Sequence, residues 1–246
     1  MSRTRLRIVP FEADHGGPNM AADEVILRTA LGGQATLRFY AWSEATLSLG
    51  YFQPARVRWE DQCLSSLPYV RRPSGGSALV HHFEVTYALA LPAGPPWQEK
   101  GSWLTRMHGV IAESLRSLGV AARLHAPSGA AEAFPSPLCF QHLTSGDIVV
   151  DVAKVVGSAQ RKQHGALMQH GGILLAGSPH APSLPGIKEL CGINLESNGI
   201  IPAIEKVFRA HTGWELFREP LSAQERELQR ELVVGKYASG SWNDKR

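Results

Sequence analysis

The sequence predicts an α+β fold: a mixed, largely antiparallel sheet packed by helices. Three apolar strand segments between residues 147 and 175 follow one another with only polar turn residues between them, the pattern of an antiparallel meander. Elsewhere, helical segments interrupt the strands without regular βαβ alternation. With 246 residues, 43% hydrophobic and 19% charged, the chain has the composition of one large globular domain, with or without a small appendage. A chain of this length is expected to bury about 70–75% of its unfolded surface, so no disulfide or metal staple is needed.

Residues 19–31 read as the first helix: Asn19 is a candidate N-cap, Asp23 and Glu24 suit the positive end of the dipole, and Gly32-Gly33 stops it. Thr36–Trp42 alternates as a strand, and 45–51 reads as another. A strand at 69–72 runs into Pro73-Ser74-Gly75-Gly76-Ser77, and a long strand follows from 78 to about 91. Residues 97–118 form a helix with Met107, Val110, Ile111 and Leu115 on one face, closed by Gly119. The Pro-, Ser- and Ala-rich stretch 123–145 reads as a loop. The strands 147–151, 154–160 and 166–175 come next. In the tail, Pro202 opens a helix ending at Gly213, and Ser222 with Glu225 forms the capping box of another. The expected division is 1–200 for the main domain and 201–246 for a C-terminal helical extension packed on it.

Three cysteines, an odd number in so long a chain, argue against a disulfide framework and for a reducing compartment. No apolar run spans a membrane, and the basic first residues lack the apolar core of a signal peptide. A net charge of +3 is too small to imply nucleic-acid binding, but suits an acidic protein partner.

Two segments stand out chemically. Arg71-Arg72-Pro-Ser74-Gly75-Gly76-Ser77, with His81 and His82 after it, offers guanidinium charge and backbone N–H groups to an anionic or carbonyl ligand; it reads equally as a hairpin between strands. Lys154-Val-Val-Gly157-Ser158-Ala159-Gln160 sets a lysine among valines, either buried with a partner or snorkelling from a strand edge. Cys63 and Cys191 read as packing residues. Cys139 lies in a loop upstream of the lysine strand, where a nearby ammonium would favour the thiolate. Histidines 81, 82, 164 and 170 lack the spacing of a metal site, so no metal is expected; His81 reads as a hydrogen-bonding partner of the loop or ligand, and His170 equally as a satisfied strand residue. Walker A, Rossmann and Gly-x-Ser-x-Gly motifs are absent.

In order, these segments resemble the lipoate-protein ligase A / octanoyltransferase family of the biotin/lipoyl protein ligase superfamily. The resemblance rests on Asn19-Met-Ala-Ala-Asp23, Arg38-Phe-Tyr-Ala-Trp42 with Leu47-Ser-Leu-Gly50, the Arg71–Ala78 segment, His81, Lys154–Gln160 and Gln169-His170-Gly-Gly-Ile173, and it covers about residues 6–240. It implies the catalytic fold of that superfamily for residues 1–200. Cys139 matches the cysteine of the ligase-like octanoyltransferases, and its distance to Lys154 matches the family's spacing. Ser77, where the ligases carry a third glycine, and Glu84-Val-Thr-Tyr87 also resemble the transferases.

The resemblance implies an octanoyltransferase. Cys139 takes an octanoyl group from acyl carrier protein as a thioester and passes it to a lysine of a lipoyl domain or a glycine-cleavage H-type protein, in the cytoplasm and without a cofactor. It gives Lys154 the role of favouring the Cys139 thiolate, and a substrate-binding role to Arg71, Arg72, Ser74, Gly75, Gly76, Ser77, His81, Gly157, Ser158, Ala159 and His170. Neither a nucleic acid nor a membrane is an expected partner. The chain departs from the family at His82, where Asp is usual, and at Asp151-Val-Ala153, where a glycine is common. Two other readings are an ATP-dependent lipoate ligase of the same fold and a non-catalytic homologue that binds acylated carriers or lipoyl domains. A biotin ligase fits less well, because its basic glycine-arginine loop is absent.

Overall fold

A computed structural model describes residues 4–98, 101–126 and 138–246. In chain order these are β1 (Arg5–Asp14), α1 (Gly16–Leu31), β2 (Thr36–Trp42), β3 (Thr46–Leu49), α2 (Gln62–Ser65), β4 (Tyr69–Arg71), β5 (Leu79–His81), β6 (Glu84–Leu91), α3 (Trp103–Ser117), β7 (Arg123–Leu124), β8 (Ile148–Val150), β9 (Ala153–Gln163), β10 (Ala166–Leu174), α4 (Ile187–Cys191), α5 (Ser197–Thr212), β11 (Glu215–Arg218), α6 (Ala223–Leu232) and α7 (Gly240–Asn243). The large sheet has the order β11-β1-β2-β6-β10-β9-β8-β7, and β4-β3-β5 form a small one. In the large sheet only β1 pairs in parallel, with β2 and β11; the remaining pairs are antiparallel, including the expected β8-β9-β10 meander. The α+β class with a mixed, largely antiparallel sheet is therefore what the chain adopts.

Strand alternation divides the core. Leu37 and Phe39 of β2, with Val85, Tyr87 and Leu89 of β6, pack under α3 and α5. On the opposite face Tyr40 and Trp42, Ala88, Ala90 and Met168 pack under α1 and α6. This second face also carries the polar side chains Arg38, Thr86 and His170, all buried. Thr86 and His170 become part of the wall of the site, and Arg38 stands behind it on Asp23.

Several boundaries differ from the sequence reading. α1 starts at Gly16 with His15 as N-cap, because Asn19 is buried and its amide donates to the carbonyls of Asp14 (2.9 Å) and Ala41 (3.0 Å). Asp23 and Glu24 thus lie inside the helix, away from its dipole end. The long strand at 78–91 is two: β5 joins the small sheet through β3, and the chain turns at His82-Phe83 before β6 enters the large sheet. α3 starts at Trp103, where the Ser102 hydroxyl accepts from Leu104 N–H. Pro202 sits inside α5, five residues after its start, while Gly213 ends the helix in the left-handed conformation (φ +68°).

The division expected at residue 200 falls within α5, and the tail adds β11 to the large sheet beside β1. The Ser222–Glu225 capping box forms, and Glu225 also holds the buried Arg7 of β1 at 2.6 Å, tying the tail to the first strand. Of the 123–145 loop, 127–137 lie outside the described residues. Among the described residues no helix is long and apolar enough to cross a membrane.

Candidate active site

The glycine-rich segment leaves β4 at two arginines with different duties. Arg71 is fully buried, and its guanidinium donates to the carbonyls of Gly50 (2.8 Å), Gln53 (2.6 Å) and Asn243 (2.8 Å). All this charge goes to main chain, so Arg71 pins the base of the loop and stands outside the cavity. Arg72 turns inward. It donates to the carbonyl and hydroxyl of Ser48 (both 3.0 Å) and to the carbonyls of Gly75 (3.1 Å) and Ser77 (2.5 Å), folding the loop around its own side chain. Burial lowers the pKa of its guanidinium, while the neighbouring Cys139 and Tyr40 oppose the drop. Gly76 has φ +92°, and a Cβ on Gly50 would run into the Gly76 carbonyl oxygen. Two glycines at one crossing let the loop lie flat on the end of β3.

Behind this loop lies a cavity of about 510 Å³, counting its open mouth, lined mainly by apolar surface. Arg72 and Gly76 come from the loop, His81 from β5, Gly157, Ser158 and Ala159 from β9, His170 from β10, and Cys139 with Phe140 from a short 3-10 turn. Met20 and Tyr40, both buried, line the inner part. The structure therefore brings together Arg72, Gly76, His81, Cys139, Gly157, Ser158, Ala159 and His170 from the expected set.

Lys154 and Ser74 are buried behind this lining, whereas Gly75 and Ser77 are partly exposed on the loop itself. Lys154 is 6% exposed; its ammonium pairs with Asp147 Oδ2 at 2.7 Å, donates to the His142 carbonyl at 3.1 Å, and lies 5.3 Å from the centre of the Phe140 ring. Its side chain crosses Gly157, where a Cβ would collide with it. Of the two sequence readings, burial with a partner is the one realised, and no strand-edge snorkelling occurs.

Three serine–imidazole contacts surround the cavity. His170 donates from Nδ1 to Asp23 (2.9 Å), and its Nε2 is hydrogen-bonded with the Ser74 hydroxyl at 2.5 Å. Asp23 in turn holds Arg38 (2.8 Å) and the Tyr40 hydroxyl (3.0 Å), and burial together with the Asp23 charge pushes the Tyr40 phenol well above its ordinary pKa. His81 bonds Glu84 at 2.5 Å and Ser48 at 2.7 Å, and stacks on Trp42 with ring centres 3.8 Å apart. His108 donates to the Gly146 carbonyl at 2.6 Å and accepts from Ser158 at 2.6 Å; beyond Ser158 the chain runs to Tyr87 and Gln169. Burial lowers the pKa of His108 and raises that of Tyr87 to about 12.

Asp23, Asp147, Ser48, Glu84 and His108 were missed as site residues. Asp23 carried a signal, since an acid among Met20, Ala21, Ala22, Val25 and Ile26 has no solvated face. Asp147 carried none: pairing seven residues away across the β8–β9 turn depends on register.

The description "Lipoyl protein ligase A/B catalytic domain" matches residues 16–183. The octanoyltransferase LipM of Kyrpidia tusciae is 34% identical, over 92% of this chain and 93% of its own length. That of Bacillus subtilis is 32% identical over 93% and 94%. Among solved structures, a lipoate-protein ligase A bound with ATP superposes with a TM-score of 0.78 at 22% identity, covering 99% of both chains. A bipartite lipoate protein ligase from Thermoplasma acidophilum does so with 0.73 at 19%, covering 99% of this chain and 97% of that one. These structural likenesses show that the fold is that of the ligases' catalytic domain.

Proposed function

The chain belongs to the lipoyl protein ligase A/B catalytic-domain family, and within it we propose a cysteine-dependent octanoyltransferase of lipoate biosynthesis. The donor is octanoyl-acyl carrier protein, and the acceptor is a lysine of a lipoyl domain or H-type protein. The observation that carries this reading is Cys139: it lines the same apolar cavity as Arg72 and the glycine loop, in a chain similar throughout to octanoyltransferases.

In the first step the Cys139 thiolate attacks the donor's thioester carbonyl, and the carrier's thiolate leaves and takes up a proton. In the second, the neutral amine of the acceptor lysine attacks the acyl-Cys139 carbonyl, the Cys139 thiolate leaves, and an amide forms as the amine loses its proton. Thioester exchange is nearly isoenergetic and amide formation is downhill, so neither step needs ATP. The apolar cavity takes the octanoyl chain. The N–H groups of Gly75, Gly76 and Ser77 have no acceptor among the described residues, which leaves them as donors for the oxyanion. Lys154, its charge paired with Asp147, holds the turn that carries Cys139 through the His142 carbonyl. A thiol that must stay free suits the reducing cytoplasm.

Mixing the protein with octanoyl-acyl carrier protein, without ATP, should add one octanoyl mass on Cys139, and a lipoyl domain should then remove it. An adduct of normal yield on Cys139→Ser, or transfer that requires ATP, overturns the reading.

A further inference from the structure

Outside the glycine loop the surface becomes aromatic and basic. Tyr51 and Phe52 follow Gly50 directly and fold on the outer side of the loop. Tyr51 N–H donates to the Ser74 carbonyl at 2.8 Å, and a Cβ on Gly75 would meet the Phe52 ring at 3.9 Å. Phe52 is nevertheless 70% exposed. Three cations converge on these rings from distant parts of the chain. Lys245 Nζ stands 3.6 Å from the centre of Tyr51 and 3.5 Å from that of Trp242. The Arg246 guanidinium lies 5.2 Å from both Tyr51 and Phe52. Arg161 of β9 lies 6.0 Å from Tyr51 and donates to the Pro73 carbonyl at 2.8 Å.

Among the described residues none of the three forms an ion pair. The adjacent acid, Asp244, accepts from the Tyr69 hydroxyl at 2.6 Å. The patch continues along the 3-10 turn Ala55–Trp59, which is tied to it by Ala55 N–H on a main-chain carboxyl oxygen of Arg246 at 2.8 Å. Here Arg56 is exposed, Arg58 lies over the Trp59 and Tyr69 rings, and Trp59 is 62% exposed. Glu60 and Asp61 stand at its far end, with Asp61 engaged as the cap of α2. The positive potential is felt locally: the charge on Lys245 pulls the Tyr51 phenol below its ordinary pKa.

We propose that this basic, aromatic shoulder of the glycine loop, centred on Phe52, Lys245 and Arg246, is the docking face for the acyl donor, an acidic carrier protein bearing its thioester on a long arm. The proposal rests on the acyl-transfer reading above. Crowded cations that form no ion pair are relieved by an anionic face, and such complementarity acts mainly on the encounter rate, with strong dependence on salt. Exposed aromatic rings between the cations supply flat apolar contact at little entropy cost. The shoulder adjoins the loop's outer side, whereas the cavity is on its inner side. A lysine side chain is short, so the acceptor domain must sit over the mouth itself. The donor's long arm lets its carrier rest to one side.

The test compares octanoyl on acyl carrier protein with octanoyl-N-acetylcysteamine, a small thioester without a protein, in the full chain and in Lys245→Glu/Arg246→Glu. The charge-reversed variant should be acylated about tenfold more slowly by the carrier donor at low salt. The gap should close as salt rises, while the rate with the small thioester stays unchanged. Lys245→Gln/Arg246→Gln, which removes charge without reversing it, should fall between, and its unchanged Tm guards against a folding defect. Equal rates with the carrier donor, or an equal loss with both donors, overturn the docking face. So does charge-dependent binding of a single-stranded oligonucleotide in place of the carrier. If the unaltered protein takes octanoyl from neither donor, the acyl-transfer reading falls and the docking face with it. If it takes octanoyl from both, that reading stands whatever the variants show.

Discussion

The Lys154 ammonium and the Asp147 carboxylate form an ion pair at 2.7 Å, with both side chains almost fully withdrawn from water. Asp147 also accepts from the N–H and hydroxyl of Thr144, at 2.7 and 3.0 Å. A single carboxylate thus neutralises the lysine and closes the turn before β8.

Asp147→Asn leaves a buried cation without its counter-charge and should cost about 3–5 kcal/mol of stability, read by urea unfolding. Asp147→Leu/Lys154→Met removes both charges and should recover most of that loss, yet form no octanoyl adduct. A double variant with full adduct formation would show that the pair serves the fold alone.

Acid should destabilise the protein in two separate windows. His108 has a folded pKa depressed by burial, with the Gly146 carbonyl and Asp147 opposing the shift. The unfolded chain therefore binds the extra proton as pH falls through the ordinary histidine value of about 6.5, so this stability is present above that value and lost below it. For Glu24 and Glu225, burial raises the pKa, but hydrogen bonds from Lys236 and Arg7 respectively lead the groups that outweigh it and hold each low. Their contribution is present above the ordinary carboxylate range of about 4.3 and lost as pH falls through the lowered folded values. His108→Gln should flatten unfolding free energy against pH in the first window and leave the second unchanged.

Gly50→Ala tests the crossing of β3 and the glycine loop. A methyl group there meets the Gly76 carbonyl oxygen, which is backbone and cannot swing aside. Overpacking of this kind costs about 1–3 kcal/mol. Because the loop rather than the strand gives way, octanoyl adduct formation should fall much more than Tm. An intact rate would show that loop position does not matter to the chemistry.

The meander, the capping box at Ser222 and the left-handed glycine after α5 were legible because each is local: period-two alternation, a hydroxyl three residues from a carboxylate, a glycine where φ is positive. The break at His82-Phe83 was not, since 78–91 reads as one β-rich run and only the pairing of β5 with β3 draws it into a second sheet. Asn19 misled for a related reason. Its side chain suits a helix cap, but burial under β2 gives it backbone carbonyls instead.

The sequence by itself determined the kind of protein this is, the α+β class and the family, because residue identity and order carry that information, and it singled out Cys139, Lys154 and the glycine loop as the segments proposed for the chemistry. Only the tertiary structure decided how charge is spent among them. It assigned Arg71 to the backbone and Arg72 to the cavity wall, gave Lys154 to Asp147, and linked Ser74 through His170 to Asp23. These pairings depend on strand register and sheet order, which bring groups far apart in the chain within hydrogen-bonding distance where water cannot compete.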